Sequence, residues 1–365
     1  MQHNSKLKIF YISELNLPSK SAYSIHVMKM CEAFSQLGYL TTLFTINSKN
    51  SSKILKKYNV KYKFHINSIF NSPLQLNLFL RFLFSFKILM KNLDNQSIII
   101  SRSIIFALIA ALIKKNIILE LHHEMTGFSK FIYFFLRFFG LIKNLNFIFL
   151  HKKLKKFYSV DIKKNIVLDD AANIDNFKLM KLKKFKNTCV YIGSFFKGKG
   201  VEQIFRLAKL NKKISFHLYG EKKFLIKQKF ERNIKIFDYV DYIKIPRVLS
   251  QYDIALMPYQ EKVRGRGSVW LEQYMSPLKM FDYMAARMII IASNISVYKH
   301  ILKNNYNCKL VKVNDDLKWS NVIRESLRKK NRNKILIKNA FLTVKKYTWE
   351  KRAKKIINFY KKKIC

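Results

Sequence analysis

Short apolar runs alternate with amphipathic stretches along the whole chain. LKIFYI at 7–12 reads as a strand, SELNLPSKSAYS as a loop, and Ser21 to Leu37, closing at Gly38, as a helix. YLTTLFTI at 39–46 returns to strand character, and the alternation continues through KYKFHI, the long apolar stretch from Leu74 to Leu93, and SIII at 97–100. SIIFALIAALI at 103–113 is apolar all round, and between SIIISR and KKNIILELHH it reads as a buried helix joining two central strands. Strands alternating with helices predict an α/β fold on a parallel sheet. Ligands of such sheets gather beyond the carboxyl ends of the strands, which makes Arg102 and His122-His123-Glu124 candidate site residues. A strand-end histidine is commonly structural, but two adjacent histidines and a glutamate in one loop strengthen the functional reading.

Residues 131–158 concentrate aromatics and lysines with no acidic residue. Two readings stay open: an amphipathic, membrane-facing surface, or a core helix, a strand and a solvated lysine run. After VLDDAANIDNF at 167–177 comes the polar, pattern-free KLMKLKKFKN, where the domain boundary is expected. The second half then repeats the alternation. TCVYIG is a strand, SFFKGKG a glycine loop and VEQIFRLAKL a helix. ISFHLYGE and NIKIF follow as strands, VLSQYDIALMPYQ as a helix running into a strand, and CKLVKV with a long lysine-rich helix lies beyond Ser293. In YTWEKRAKKIINFYKK, Trp349, Ala353, Ile356 and Tyr360 mark one helical face.

Two stretches of this half carry candidate chemistry. The chain has only nine glycines, and Gly193, Gly198 and Gly200 fall in one loop while Gly265 and Gly267 flank Arg266 in another. A glycine turn before a helix brings N–H groups to an anion, with Lys197 or Lys199 as counter-charge, although βα turns also use glycine for geometry alone. Arg264 and Arg266 can reach a phosphate. In SPLKMFDYMAARMIIIAS at 276–293, Ser276 suits the N-cap and Pro277 the first helical position. Leu278, Phe281, Ala285 and Met288 would face the core and leave Lys279 and Asp282 outward together. That pair is either an ordinary exposed ion pair or, because a lysine in a first helical turn opposes the helix dipole, part of an anion site.

Composition narrows the classes. The 365 residues suit two domains of about 150 to 200 residues. The net charge of +48 comes from 57 lysines and 13 arginines scattered through every segment. No zinc spacing, basic heptad or RRM-type signature accompanies it, so no specific nucleic-acid partner is expected; anionic lipid or small anionic substrates fit better. Cys31, Cys189, Cys308 and Cys365 form neither a metal pattern nor a disulfide framework, which points to a reducing cytoplasm. No apolar run approaches the length of a membrane span, and the N-terminus lacks a signal-peptide core.

In this order, YIGSFFKGKGVEQI, DIALMPY, SPLKMFDYMA and YTWEKRAKKI, with SRSIIFALIAALIKKNIILELHH in the first half, resemble the motifs of glycosyltransferase family 4, end to end. The resemblance implies a GT-B fold of two Rossmann-like domains facing across a cleft. Its divisions here would be an acceptor-binding domain over 1–177, a nucleotide-sugar-binding domain over 187–345, and a C-terminal helix over 346–365 packing back on the first domain. It implies a metal-independent, retaining hexosyltransferase, working in surface polysaccharide assembly in the cytoplasm at the inner membrane face. The substrates would be a nucleotide-diphosphate sugar and a glycan or lipid-linked acceptor, with no cofactor. Lys199 would hold the donor diphosphate, Asp282 the ribose hydroxyls, and His122 would lie beneath the transferred sugar. Ser194, Lys197, Gly198, Gly220, Arg264, Arg266, Tyr274, Ser276, Pro277, Leu278 and Lys279 would line the donor site. Ser21, Ala22, Arg102, His123 and Glu124 would fall on the acceptor side.

The chain departs from the family pattern at Tyr274, where the first of two glutamates is expected, and at Asp282, which replaces the second. Ser194 stands for an arginine, Arg287-Met288-Ile289 for Gly-x-Pro, and His300 for a glutamate. These departures motivate the alternative of a catalytically silent GT-B subunit that binds a partner or membrane. A different GT-B enzyme, such as an epimerase or phosphorylase, is a further alternative.

Overall fold

The computed structural model describes residues 7–364 except 92, 95, 114–116, 178–181, 223–228, 265–272 and 329–332. The chain divides into two compact units, Met1–Asp169 with Trp349–Cys365, and Asp170–Thr348.

Unit 1 is built on seven parallel strands: β1 (Lys8–Ile12), β2 (Leu40–Thr45), β3 (His65–Ser68), β4 (Ile98–Ser101), β5 (Ile117–Leu121), β6 (Leu145–Phe149) and β7 (Asn165–Val167). Their order is β3-β2-β1-β4-β5-β6-β7. The chain builds outward from β1, then crosses back to start again at β4, and this reversal leaves a crevice at the carboxyl ends of β1 and β4. β1, β4 and β5 are central and apolar because helices cover both faces of a parallel sheet. Those helices are α1 (Ala22–Gln36), α2 (Ser51–Lys57), α3 (Leu78–Leu89), α4 (Ile104–Ile113), α5 (Gly127–Phe138) and α6 (Lys152–Tyr158). The expected strand at KYKFHI forms only from His65, and the stretch 74–93 yields a helix. The chain divides at Asp169/Asp170, earlier than the polar run after residue 177, because Asp170–Phe177 already packs with unit 2: Ala172 N–H donates to Tyr347 O at 3.0 Å.

Unit 2 repeats the plan with six parallel strands: β8 (Thr188–Ile192), β9 (Ser215–Tyr219), β10 (Ile234–Phe237), β11 (Ile254–Met257), β12 (Ile289–Ser293) and β13 (Lys309–Val311), in the order β10-β9-β8-β11-β12-β13. Its helices are α7 (Val201–Leu210), α8 (Ile245–Leu249), α9 (Leu278–Ala285), α10 (Asp316–Arg328) and α11 (Lys334–Val344). The expected single lysine-rich helix is therefore two. Cys189, Phe216, Ile254, Ile291 and Trp319 sit in one buried core. The final helix, α12 (Trp349–Ile364), belongs to unit 1, where it packs on α1 with Trp349, Ala353, Ile356 and Tyr360 buried.

Candidate functional site

In unit 2 the topological reversal lies between β8 and β11, and the candidate residues collect at the carboxyl ends of these two strands. The loop after β8 carries Lys199. Its amine lies 5.1 Å from the centre of the Tyr259 ring, just past β11, and burial lowers its pKa to about 8. From the first turn of α9, Lys279 reaches the same place, with Nζ 3.7 Å from the Tyr191 ring and 5.4 Å from that of Tyr259. Burial first, and Lys199 second, hold Lys279 well below the ordinary lysine pKa. Its Nζ is buried with no hydrogen-bond partner among the described residues. Two lysine amines thus flank one aromatic ring, where cation–π attraction compensates only part of the hydration that their charged forms lose.

The backbone is shaped to admit this arrangement. A Cβ on Gly193 would stand 2.5 Å from Lys279 Nζ, so a side chain there would displace the end of the lysine from its present place beside β8. Gly198 has φ +84, and a Cβ there would lie 2.0 Å from Lys262 O, so its glycine is explained by geometry alone. Gly220 abuts Gly193 O. Tyr191 Oη donates to Ser194 O at 2.8 Å, and Ile192 N–H donates to Tyr283 Oη at 2.9 Å, tying α9 to the strand end.

α9 differs from its expected form in two respects. Its N-cap is Pro277, with no side-chain capping bond, and Ser276 instead accepts a hydrogen bond from Asp170 N–H at 3.0 Å. The serine hydroxyl is occupied by the incoming chain. Nor do Lys279 and Asp282 look outward as an exposed pair. The helix lies between the sheet and α11, so Met280 to Ala285 are all buried while Leu278 is half-buried. Burial raises the Asp282 pKa from 3.8 to about 7, and no ion pair joins it to a lysine among the described residues. Tyr274 is buried, Lys197 and Arg264 are exposed, and Arg264 N–H donates to Lys197 O at 3.1 Å. Arg266 lies outside the described residues, as do Gly265 and Gly267. Arg287 adopts φ 55 just past the helix end, a left-handed conformation that glycine accepts more readily, and its guanidinium stacks 3.7 Å from the Phe341 ring centre.

In unit 1, Arg102 follows β4 and His122 follows β5. Arg102 stacks 4.0 Å from the Tyr23 ring centre, and its Nη1 is buried without a hydrogen-bond partner among the described residues. His122 Nε2 is 3.0 Å from Glu120 Oε1, and burial together with Arg102 lowers the imidazole pKa to about 3, so the ring is neutral. His123 Nδ1 contacts Glu124 O at 2.8 Å. Ser21 caps α1, accepting from Ser24 N–H at 3.1 Å, and Ala22 is exposed at the helix start. Ser21 thus has a structural use.

Sequence reasoning missed Glu120. It is fully buried on β5, where Tyr11 Oη donates to Oε2 at 2.6 Å, and His26 Nε2 and Arg352 Nη2 each lie 2.8 Å from Oε1. Burial alone would raise its pKa, but Arg352 and His26 hold it well below the carboxylate range. The single acid in the apolar run IILEL was the available signal. His26, Glu120 and His122 are close enough together to ligate an ion. Arg352 brings a positive charge to the same carboxylate and so ties α12 to the cluster.

Residues 174–343 match the family model described as glycosyl transferases group 1. No curated protein matches the sequence. Among solved structures, the chain is similar to Alr3699/HepE from Anabaena in complex with UDP and glucose, at 11% identity over 96% of this chain and 98% of that one, with a TM-score of 0.71. It is also similar to sucrose-phosphate synthase from Thermosynechococcus elongatus, at 13% identity over 98% and 99% with a TM-score of 0.75. WaaG, a glycosyltransferase involved in lipopolysaccharide biosynthesis, aligns at 10% identity over 95% and 98% with a TM-score of 0.63. The chain therefore has the GT-B fold, and its second unit carries the match to glycosyl transferases group 1.

Proposed function

We propose that this protein is a retaining glycosyltransferase that moves a hexose from a nucleotide-diphosphate sugar to a glycan or lipid-linked acceptor in surface polysaccharide assembly. The observation that carries this reading is the Lys279 amine, buried beside Lys199 at the start of α9 without a hydrogen-bond partner among the described residues. A buried lysine in that state calls for an anion, and a diphosphate supplies enough charge for both ammonium groups. Lys199 and Lys279 then hold the diphosphate. Leu278 and Lys279 N–H groups at the helix start face the same charge, and Asp282 accepts from the ribose hydroxyls. In the transfer the sugar C1–O bond breaks and its electron pair leaves on the diphosphate. The acceptor oxygen bonds to C1 and gives up its proton to the departing phosphate or to water. The two ammonium groups stabilise the negative charge that grows on the leaving group, in the role a divalent metal fills elsewhere.

The acceptor belongs to unit 1 in this reading, with Arg102, His122, His123 and Glu124 as its strand-end groups. Among the described residues no helix is long and apolar enough to cross a membrane. We place the protein on the cytoplasmic side, at the inner membrane face. Turnover of UDP-, GDP-, ADP- and CMP-sugars, preceded by a thermal-shift screen of the same donors, tests the reading. One donor should stabilise the protein and be consumed in the presence of acceptor. The second reading, a silent subunit, rests on the buried Tyr274 where a glutamate is expected. It gains if a donor binds and none is consumed, and both lose if none binds.

A further inference from the structure

In unit 1, α3, α4 and α5 lie side by side, α3 against α4 and α4 against α5, and α6 adjoins α5 through Arg137, which donates to Tyr158 O at 2.5 Å. A buried sheet helix turns its large apolar side chains inward, but α5 does the opposite. Phe128, Phe131, Phe135 and Phe138 recur at helical spacing and are exposed, Phe138 by 85%. The first three form a stacked ladder, with ring centres 6.3 and 6.2 Å apart. Phe79 and Phe86 on α3 are exposed as well, at 72% and 61%, and α4, between the two helices, exposes Ile113 at 64%. Single exposed apolar residues are ordinary, but a patch running over neighbouring helices marks an interaction surface.

The charge around the patch selects its occupant. Residues 74–93, 103–119 and 125–160, which contain all four helices, include no aspartate or glutamate. Lys152, Lys153 and Lys156 on α6 are exposed, and Lys130 stands 5.5 Å over the Phe157 ring. Aromatic rings beside these exposed lysines match the boundary of an anionic bilayer, where rings enter the acyl region and lysines meet phosphates. A second copy of a chain carrying +48 charges would bring like charge to the same face. We propose that the exposed aromatic faces of α5 and α3, with the lysines of α6, dock on an anionic lipid surface. The proposal deepens the lipid-linked acceptor reading and rests on it only for the biological sense of working at a membrane.

Flotation of the full chain with phosphatidylcholine vesicles, with and without phosphatidylglycerol, tests it at low and high salt. The parent should float with the anionic vesicles at low salt and less so at high salt. Phe131→Ser/Phe135→Ser/Phe138→Ser should lower partitioning at least about tenfold, with donor binding unchanged as evidence of an intact fold. Lys152→Glu/Lys153→Glu/Lys156→Glu, on a different element, should abolish the preference for anionic vesicles. The proposal is overturned if the parent stays unbound at low salt, or if both variants float as the parent does. It is also overturned if sedimentation shows a dimer that the phenylalanine variant dissociates, since a second copy then covers the face. Loss of donor turnover with flotation intact would remove the glycosyltransferase reading and leave the docking surface standing.

Discussion

Asp282 is buried with its pKa raised to about 7 from the ordinary 3.8, and this has a consequence for stability. Between those two pH values the folded protein keeps a proton that the unfolded chain has released, so stability falls as pH rises across the window and levels off above it. The effect is on the order of a few kcal/mol. Asp282→Asn should remove the dependence, so the ligand-free variant should melt above the parent at pH 8 and approach it near pH 4. Parallel melting curves for the two proteins across that range would show that Asp282 is not the buried, uncompensated carboxylate described. The two charges of α9 were legible as residues but not as buried ones. The apolar period at Leu278, Phe281 and Ala285 marked one face, while α11 covers the other, and the sequence carries no mark of that second contact.

At the scale of elements, the anchoring of α12 depends on one guanidinium. Arg352 Nη2 reaches the fully buried Glu120 at 2.8 Å, and its Nε donates to the half-buried Asp169 O at 3.0 Å. Removing one partner of a buried pair leaves the other charge uncompensated, which costs about 3 to 5 kcal/mol. Arg352→Ala should therefore lower the melting temperature by several degrees, and Arg352→Ala/Glu120→Gln should recover part of that loss. A double variant no better than the single one would mean that the pair is not coupled. The apolar face of α12 was readable from Trp349, Ala353, Ile356 and Tyr360, but Arg352 was not, because its partner lies more than 200 residues earlier on β5. For α5 the aromatic content was legible, whereas its exposure was not. Phe131 and Phe135 read as core residues until the packing of neighbouring helices shows which side is covered.

At the scale of the whole molecule, the alternation of strand and helix was enough to read two parallel sheets. Both adopt the same order, outward from a central strand and back, because right-handed crossovers leave few alternatives. That order explains why the lysine-bearing loop after β8 and the start of α9 converge at one point of unit 2 although 80 residues separate Lys199 from Lys279. The return of α12 to unit 1 had no local signature; only the resemblance to a known family suggested it. The most direct test of the nucleotide-diphosphate site is calorimetric titration of UDP, GDP and ADP into the parent, Lys199→Ala and Lys279→Ala at neutral pH and near pH 9. One nucleoside diphosphate should bind the parent, and each substitution should weaken it roughly ten- to a hundredfold. Because Lys199 titrates at about 8 and burial holds Lys279 well below the ordinary lysine range too, binding near pH 9 should take up protons and be weaker than at pH 7. Unchanged affinity in both folded variants, with no proton uptake, would contradict the site.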